Sequence, residues 1–187
     1  MFDDANLMED NAINGLMSRA LDTMGSIDIL VNNTGIQHTE AVDTFPKNKW
    51  NAIIAINLTA TFHTIQKALP SMKSNGWGRI INIASVHGLV ASLNKSAYVA
   101  AKHGMIGLTK VVALECAELG ITANSICPGW VDTPLINDQI NDIAQKQSLP
   151  EMMNPRQIGE FILFLCSDSA RSITGASLPM DGAWTAQ

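Results

Sequence analysis

The sequence is poor in charged residues and has no run of lysine or arginine. Charged residues make up 16% of its 187 residues, and the net charge at pH 7 is −5. Proteins that bind nucleic acid or anionic membranes by charge carry basic clusters, so neither is an expected partner. No apolar stretch reaches the roughly 18 residues that indicate a transmembrane helix. The acidic start, Met1–Asp4, also lacks the apolar segment of a signal peptide.

Cysteine is scarce too. The three cysteines, Cys116, Cys127 and Cys166, are odd in number and widely spaced. A disulfide framework needs an even number of cysteines, and a metal site needs clustered ligands, so neither is expected. The pattern predicts reduced thiols in a cytoplasmic protein that holds no metal.

Helix-like and strand-like segments alternate along the whole chain, without a linker, repeat or low-complexity tract. Helical spacing of apolar residues predicts helices over residues 9–24, 46–74, 96–119 and 155–166. Short apolar runs predict strands over residues 27–33, 79–84, 121–126 and 176–180. The alternation predicts one α/β domain over residues 1–187, built on a parallel sheet with helices on both faces. In such a sheet the run at 27–33 is expected to be buried on both faces.

Polar and turn-forming residues follow three of the predicted strands. Asn32–Gly35 ends the first strand, Ser85 follows the second, and Pro128-Gly129 follows the third. Ligands of open α/β sheets bind outside the carboxyl ends of the strands. The sequence therefore predicts a binding site at this edge of the sheet.

Only one tyrosine is present, and its neighbours suggest a proton-transfer role. Tyr98 stands four residues before Lys102, on one face of a helix, and thirteen residues after Ser85. A phenol with a pKa near 10 is a poor base at neutral pH, and lowering it to about 7 needs roughly 4 kcal/mol. An ammonium at about 4 Å supplies about that much at an effective dielectric constant of about 20. The alternative is a half-exposed tyrosine beside a solvated lysine.

Taken together, these motifs resemble the short-chain dehydrogenase/reductase family. The matching positions are Asn32-Asn33-Thr34-Gly35, Asn57, Ser85, Tyr98 with Lys102, and Pro128–Thr133. The resemblance implies a Rossmann-type doubly wound parallel sheet, truncated at its N-terminal side, with about four strands retained. It also implies a nicotinamide cofactor.

The resemblance assigns a role to each matching residue. The catalytic residues would be Asn57, Ser85, Tyr98 and Lys102. NAD would be bound by Asn33, Gly35, Tyr98, Lys102, Pro128, Gly129, Val131 and Thr133. Taken singly, each has a plainer interpretation: a turn for Asn33 and Gly35, local hydrogen bonding for Asn57, and a strand end for Ser85.

Within the family, several segments are most similar to members that oxidise (R)-3-hydroxybutyrate to acetoacetate. By that resemblance the substrate carboxylate would be held by Gln37, His87, Lys95 and Gln139, and the pocket walled by Trp130 and Trp184. Burying an unpaired carboxylate costs several kcal/mol, which a lysine and amide donors would offset. Two alternatives stay open: another ketoreductase, such as one acting on 3-oxoacyl carrier protein, and a non-catalytic remnant or assembly partner.

The chain also departs from the family. The glycine-rich phosphate loop, Thr-Gly-x-x-x-Gly-x-Gly, does not occur, so dinucleotide affinity is expected to fall. Without the strand that carries this loop, the strand at 27–33 is expected to have an open apolar edge. The segment from Pro134 to Asn154 is shorter than the family's substrate lid. The resemblance further implies a homo-oligomer, a tetramer in relatives, with contacts through the helices at 46–74 and 96–119.

Overall fold

Four parallel strands form the centre of the protein. The structure is a computed structural model that describes residues 2–134 and 152–186. The strands are β1 (Ile29–Asn32), β2 (Gly78–Ile83), β3 (Ile121–Pro128) and β4 (Ser177–Met180). They lie side by side in the order β1-β2-β3-β4, and every neighbouring pair is parallel. The predicted α/β fold with a truncated Rossmann-like parallel sheet is confirmed.

Helices connect the strands and cover both faces of the sheet. They are α1 (Asp10–Met24), α2 (Lys47–Ile54), α3 (Ala60–Asn75), α4 (Ser96–Cys116) and α5 (Pro155–Cys166). A π-helical turn, Ala55–Thr59, joins α2 to α3. A glycine in the left-handed conformation follows both α3 and α4, at Gly76 and Gly120, where a side chain would strain the chain reversal. No helix in the described ranges is both long enough and apolar enough to cross a membrane.

Neighbouring residues of β2 pack against opposite helical layers because side chains alternate along a strand. Ile80 belongs to the apolar cluster that includes Ile13 of α1 and Val112 of α4. Ile81 belongs to the cluster that includes Leu165 of α5. All eight residues of β3 are buried. This two-sided core holds the carboxyl ends of the strands rigidly at one edge of the sheet.

The prediction that the first strand is buried on both faces is wrong. Ile29 is 48% exposed and Val31 is 39% exposed, although both lie in β1. The physical reason is that the side chains of Ile29 and Val31 point to the same face of the sheet, where β1 is poorly covered, and that β1 pairs only with β2 among the described strands. The expectation of an open apolar edge therefore describes this strand better than the expectation of a central one.

Candidate active site

Ser85 and Tyr98 meet where β2 ends and α4 begins. Ser85 follows β2 directly, and its hydroxyl forms a hydrogen bond with the phenol of Tyr98. The Ser85 oxygen also accepts a hydrogen bond from the backbone N–H of His87 at 3.2 Å. Tyr98 lies in the first turn of α4 and is only 9% exposed. The two hydroxyl groups are thus held together in a site with little exposure to solvent.

Burial and hydrogen bonding act on Tyr98 in opposite directions. Burial raises the pKa of its phenol above the ordinary value, because the charged phenolate loses hydration. The hydrogen bond from Ser85 lowers the pKa and only partly offsets this effect. The spacing argument counted the attraction of Lys102 without the cost of burial, so its expectation of a lowered pKa is wrong for the protein alone.

Lys102 lies one helical turn beyond Tyr98 and is buried as well. Its ammonium donates a hydrogen bond to the carbonyl oxygen of Ile83 at 2.7 Å. The same nitrogen is 5.6 Å from the centroid of the Tyr98 ring. Burial lowers the pKa of Lys102 to about 8, and the nearby Cys127 has the opposite effect. The helix therefore brings a cation beside the phenol, though not into direct contact with the ring.

Asn57 lies behind the cavity and fixes the loop that follows β1. Its side-chain amide donates to the carbonyl oxygen of Ile36 at 2.9 Å and accepts from the N–H of Ile36 at 2.9 Å. Asn57 is completely buried inside the π-helical turn. A π-helical turn inserts one residue into a helix, which directs a side chain away from its regular position. The π-helical turn thus allows the Asn57 amide to hydrogen-bond both backbone groups of Ile36, as the backbone of a neighbouring strand would.

One cavity of about 480 Å³ collects most of the predicted site residues. Those that line it are Asn33, Gly35, Gln37, Ser85, His87, Lys95, Tyr98, Lys102, Pro128, Gly129, Trp130, Val131, Thr133 and Trp184. Asn57 does not line the cavity, but its side chain is hydrogen-bonded to Ile36, which lies between the lining residues Gly35 and Gln37. Gln139 lies outside the described residues. Residues that follow all four described strands therefore converge with residues of α4, as the parallel sheet predicts.

An aromatic wall and a buried lysine close one side of this cavity. The rings of Trp130 and Trp184 stack with centroids 5.8 Å apart, and His87 meets Trp184 edge-on at 5.4 Å. The ammonium of Lys95 lies over Trp130, 5.2 Å from the ring centroid. Lys95 is 7% exposed, so it is not a solvated surface charge. A cation thus stands in the same cavity as the Ser85–Tyr98 pair.

The sequence reasoning missed one wall of the cavity. Helix α5 contributes four residues to the lining, namely Pro155, Ile158, Gly159 and Ile162. The helix itself was predicted at its observed bounds, Pro155–Cys166. Its role was missed because apolar residues on an amphipathic helix give the same pattern whether they face a core or a cavity. Ser92 was missed as well: its hydroxyl lies 2.9 Å from Nε2 of His87 and orients that ring.

Comparison with known proteins agrees with this arrangement. A family profile described as Enoyl-(Acyl carrier protein) reductase matches residues 4–185. Two proteins named D-beta-hydroxybutyrate dehydrogenase, from Cupriavidus necator and Rhizobium meliloti, are each 50% identical to this chain. In both cases the match covers 98% of this chain and 77% of the relative. A 3-oxoacyl-(acyl-carrier-protein) reductase of Staphylococcus aureus is 35% identical, over 95% of this chain and 74% of that protein.

The alignments also show a difference in length. Each alignment with the D-beta-hydroxybutyrate dehydrogenases runs over 199 positions, which exceeds the 187 residues of this chain. This chain therefore has fewer residues than those relatives within the matched region.

Proposed function

Because the chain belongs to the short-chain dehydrogenase/reductase family, we propose that it oxidises (R)-3-hydroxybutyrate to acetoacetate, reversibly and with NAD. Membership of the family makes it an oxidoreductase that uses a nicotinamide cofactor. The substrate and the choice of NAD are the proposal. The observation that carries it is the buried ammonium of Lys95, which shares one cavity with the hydroxyl groups of Ser85 and Tyr98.

The cavity fits the nicotinamide end of a dinucleotide. At Gly35 an added Cβ would lie 3.6 Å from Oδ1 of Asn57 and 3.8 Å from Nζ of Lys102, so glycine leaves the space before these two groups open. The residues that would hold the cofactor here are Asn33, Gly35, Tyr98, Lys102, Pro128, Gly129, Val131 and Thr133. When bound, the oxidised nicotinamide would accept the hydride from the alcohol carbon and add a positive charge near the phenol.

Tyr98 would act as the base for the alcohol proton. As a phenolate it would accept the proton of the substrate hydroxyl, while Ser85 would donate a hydrogen bond to the same oxygen. The positive charge of Lys102, 5.6 Å from the ring centroid, favours the phenolate, whereas burial of the phenol opposes it. Because of this burial, a pKa near 7 needs more than the roughly 4 kcal/mol that a solvated phenol would need. Lys102 therefore shares this task with the cofactor's charge.

The far side of the cavity suits a small carboxylate. A carboxylate moved out of water without a partner costs several kcal/mol, so a binding site for one needs a cation and hydrogen-bond donors. Lys95 supplies the cation, and His87 and Gln37 line the same cavity. The stacked rings of Trp130 and Trp184 leave a flat apolar surface for the short carbon chain. A hydroxy acid of this size would place its hydroxyl near Ser85 and Tyr98.

The test is turnover of (R)-3-hydroxybutyrate with NAD, followed by the absorbance of NADH. Tyr98→Phe gives the background rate, because it removes the proposed base. Lys95→Met should raise the KM for hydroxybutyrate about 30-fold or more, since it leaves the carboxylate without its cation. The Kd for NADH, measured by fluorescence titration, should stay within about two-fold. Lys49→Met, at an exposed lysine of α2, is the matched control.

Three results would overturn the proposal. Equal effects of Lys95→Met on substrate and cofactor binding would remove the carboxylate role. Faster reduction of acetoacetyl carrier protein than of acetoacetate would favour the acyl-carrier ketoreductase. Absence of NADH binding at millimolar concentration would leave the non-catalytic alternative for this chain.

A further inference from the structure

The pocket wall is a chain of ring contacts that passes through the loop after β4. The ring of Tyr98 meets His87 edge-on at 6.0 Å, and His87 meets Trp184 edge-on at 5.4 Å. Trp184 then stacks on Trp130, over which the ammonium of Lys95 lies. The wall therefore runs from the proposed base to the proposed carboxylate site. Trp184 is its central member and the only one that comes from the loop after β4.

That loop contains a tight turn that is unusual for its sequence. The N–H of Trp184 donates to the carbonyl oxygen of Asp181 at 3.3 Å, which closes a four-residue turn. Its two central residues, Gly182 and Ala183, have φ angles of 61° and 68°. Two consecutive positive φ angles are the mark of a type I′ turn, which favours glycine or asparagine. Alanine at the second position is strained, because its Cβ crowds the backbone in this conformation.

The carboxylate of Asp181 stabilises the strained turn. One oxygen accepts a hydrogen bond from the N–H of Ala183 at 3.1 Å. The other accepts from the N–H of Thr185 at 2.9 Å and from the Thr185 hydroxyl at 2.5 Å. These three hydrogen bonds fix Ala183 and Thr185, the residues on both sides of Trp184. The backbone of Trp184 is therefore held in place, and so is the position from which its indole ring projects. Hydrogen bonds to a charged acceptor are about twice as strong as neutral ones.

The same turn is fixed against the loop that carries Trp130. The N–H of Gly129 donates to the carbonyl oxygen of Met180 at 2.8 Å. A Cβ on Gly129 would lie 3.0 Å from the Cα of Asp181, so a larger residue would push the two loops apart by a few tenths of an ångström. The two loops therefore present their indole rings to each other from a shared backbone contact.

We infer that Asp181 is the positioning residue that holds Trp184 in the pocket wall and thereby limits the length of the hydroxy acid that the pocket accepts. The limit on substrate length rests on the proposed function, whereas the control of Trp184 rests on the geometry of the turn alone. The two parts are measured separately, so failure of one is distinguishable from failure of the other.

The position of Trp184 can be read without any turnover. Protein labelled with 5-fluorotryptophan gives one ¹⁹F signal for each of its four tryptophans, assigned with single Trp→Phe variants. Asp181→Ala should shift the signals of Trp184 and Trp130 and leave those of Trp50 and Trp77 in place. Asp168→Ala, at an exposed aspartate after α5, is the matched control and should move none of the four.

Rescue separates a positioning role from a general loss of stability. Adding Ala183→Gly to Asp181→Ala removes the strain that the carboxylate offsets, so the Trp184 and Trp130 signals should return toward their original positions. If the protein turns over hydroxybutyrate, Asp181→Ala should also lower its preference for 3-hydroxybutyrate over 3-hydroxyhexanoate about ten-fold. The double variant should recover that preference.

Unchanged Trp184 and Trp130 signals in Asp181→Ala would overturn the inference, and so would a double variant that fails to restore them. Shifted signals with an unchanged preference would overturn the limit on substrate length. A shift of all four signals in Asp181→Ala would mean that this variant has lost its fold. The test is then made with Asp181→Asn instead. That variant keeps the shape of the side chain but presents an amide in place of one acceptor oxygen. It should move the same two signals, and their failure to move would reject the role of the carboxylate.

Discussion

At the scale of single residues, the buried charge of Lys102 makes its own contribution to stability depend on pH. Lys102 is 3% exposed, and burial lowers its pKa from 10.5 to about 8. Between these two values the side chain of Lys102 binds more protons in the unfolded chain than in the folded chain. Its contribution to stability therefore rises with pH across that window, and below pH 8 the folded protein bears the full cost of burying the ammonium.

Replacing this lysine with an uncharged side chain of similar length removes the dependence. Lys102→Met should be most stabilised relative to the original protein at pH 7, where the original buries a charge. The difference in free energy of unfolding between Lys102→Met and the original protein should shrink by about 2 to 3 kcal/mol between pH 7 and pH 10. Urea unfolding of both proteins at several pH values measures it. Lys110→Met, at an exposed lysine of the same helix, should show no such trend. A Lys102→Met difference that does not vary with pH would contradict the lowered pKa.

The same residues show what the sequence could and could not predict at this scale. The spacing of Tyr98 and Lys102 placed both on one helix face, and that placement depends only on helical geometry. The direction of the Tyr98 pKa shift depends on burial, which a four-residue spacing does not contain. Lys95 is similar: a lysine before a helix is usually solvated, and only the packing of Trp130 against it shows that this one is buried.

At the scale of the elements, a ladder of polar side chains crosses the sheet. The hydroxyl of Thr64 in α3 donates to Asn32 in β1, whose amide donates to Asn82 in β2 at 2.8 Å. Asn82 donates to Thr109 in α4 at 2.8 Å, and Thr109 shares a hydrogen bond with Ser125 in β3. Asn82 is the register partner of both Asn32 and Ser125. A slip of one residue would break every link, so the ladder fixes the relative positions of three strand ends.

Asn82 forms the two central hydrogen bonds of the ladder, so we expect its side chain to contribute most of the free energy by which the ladder stabilises the fold. Asn82→Ala removes one buried and one partly buried hydrogen bond, leaves the Asn32 amide without this partner and opens a small cavity. The expected loss in free energy of unfolding is about 2 to 4 kcal/mol. Asn75→Ala removes an exposed hydrogen bond to Asp28 and should cost at most about 0.5 kcal/mol. Urea unfolding followed by circular dichroism compares the two, and similar losses would show that the ladder contributes little.

The elements were more predictable than the irregularities within them. Seven of the eight predicted segments match a helix or strand to within a few residues, because their apolar period is strong. The eighth, residues 46–74, is interrupted by the π-helical turn at Ala55–Thr59. That turn leaves no trace in the apolar pattern, since its residues are compatible with an ordinary helix. Its presence follows from the tertiary contact between Asn57 and Ile36.

At the scale of the whole molecule, helix α4 exposes an apolar face that a single chain does not use. Five of its exposed positions, Ala100, His103, Gly107, Val111 and Leu114, recur at intervals of three or four residues and so share one side of the helix, while the charged Lys110 and Glu115 are exposed beside them. Leu114 is 82% exposed and Val111 is 50% exposed. Gly107 has open space beside it, which allows another backbone to approach closely. Apart from His103, the residues of this stripe are small or aliphatic, which is typical of a helix–helix interface.

We therefore expect this face of α4 to pair with a second copy of the chain. An added charge on this face would have to be buried unpaired, which opposes association. Leu114→Glu should lower the molar mass measured by light scattering after size exclusion from that of an oligomer to that of a smaller species. Val42→Glu changes a valine that is 77% exposed outside the helices, and it should leave the mass unchanged. A monomeric original protein, or an oligomer that survives Leu114→Glu, would reject this face. Association through the open edge of β1 would then be the next surface to test, because Ile29 and Val31 are exposed there.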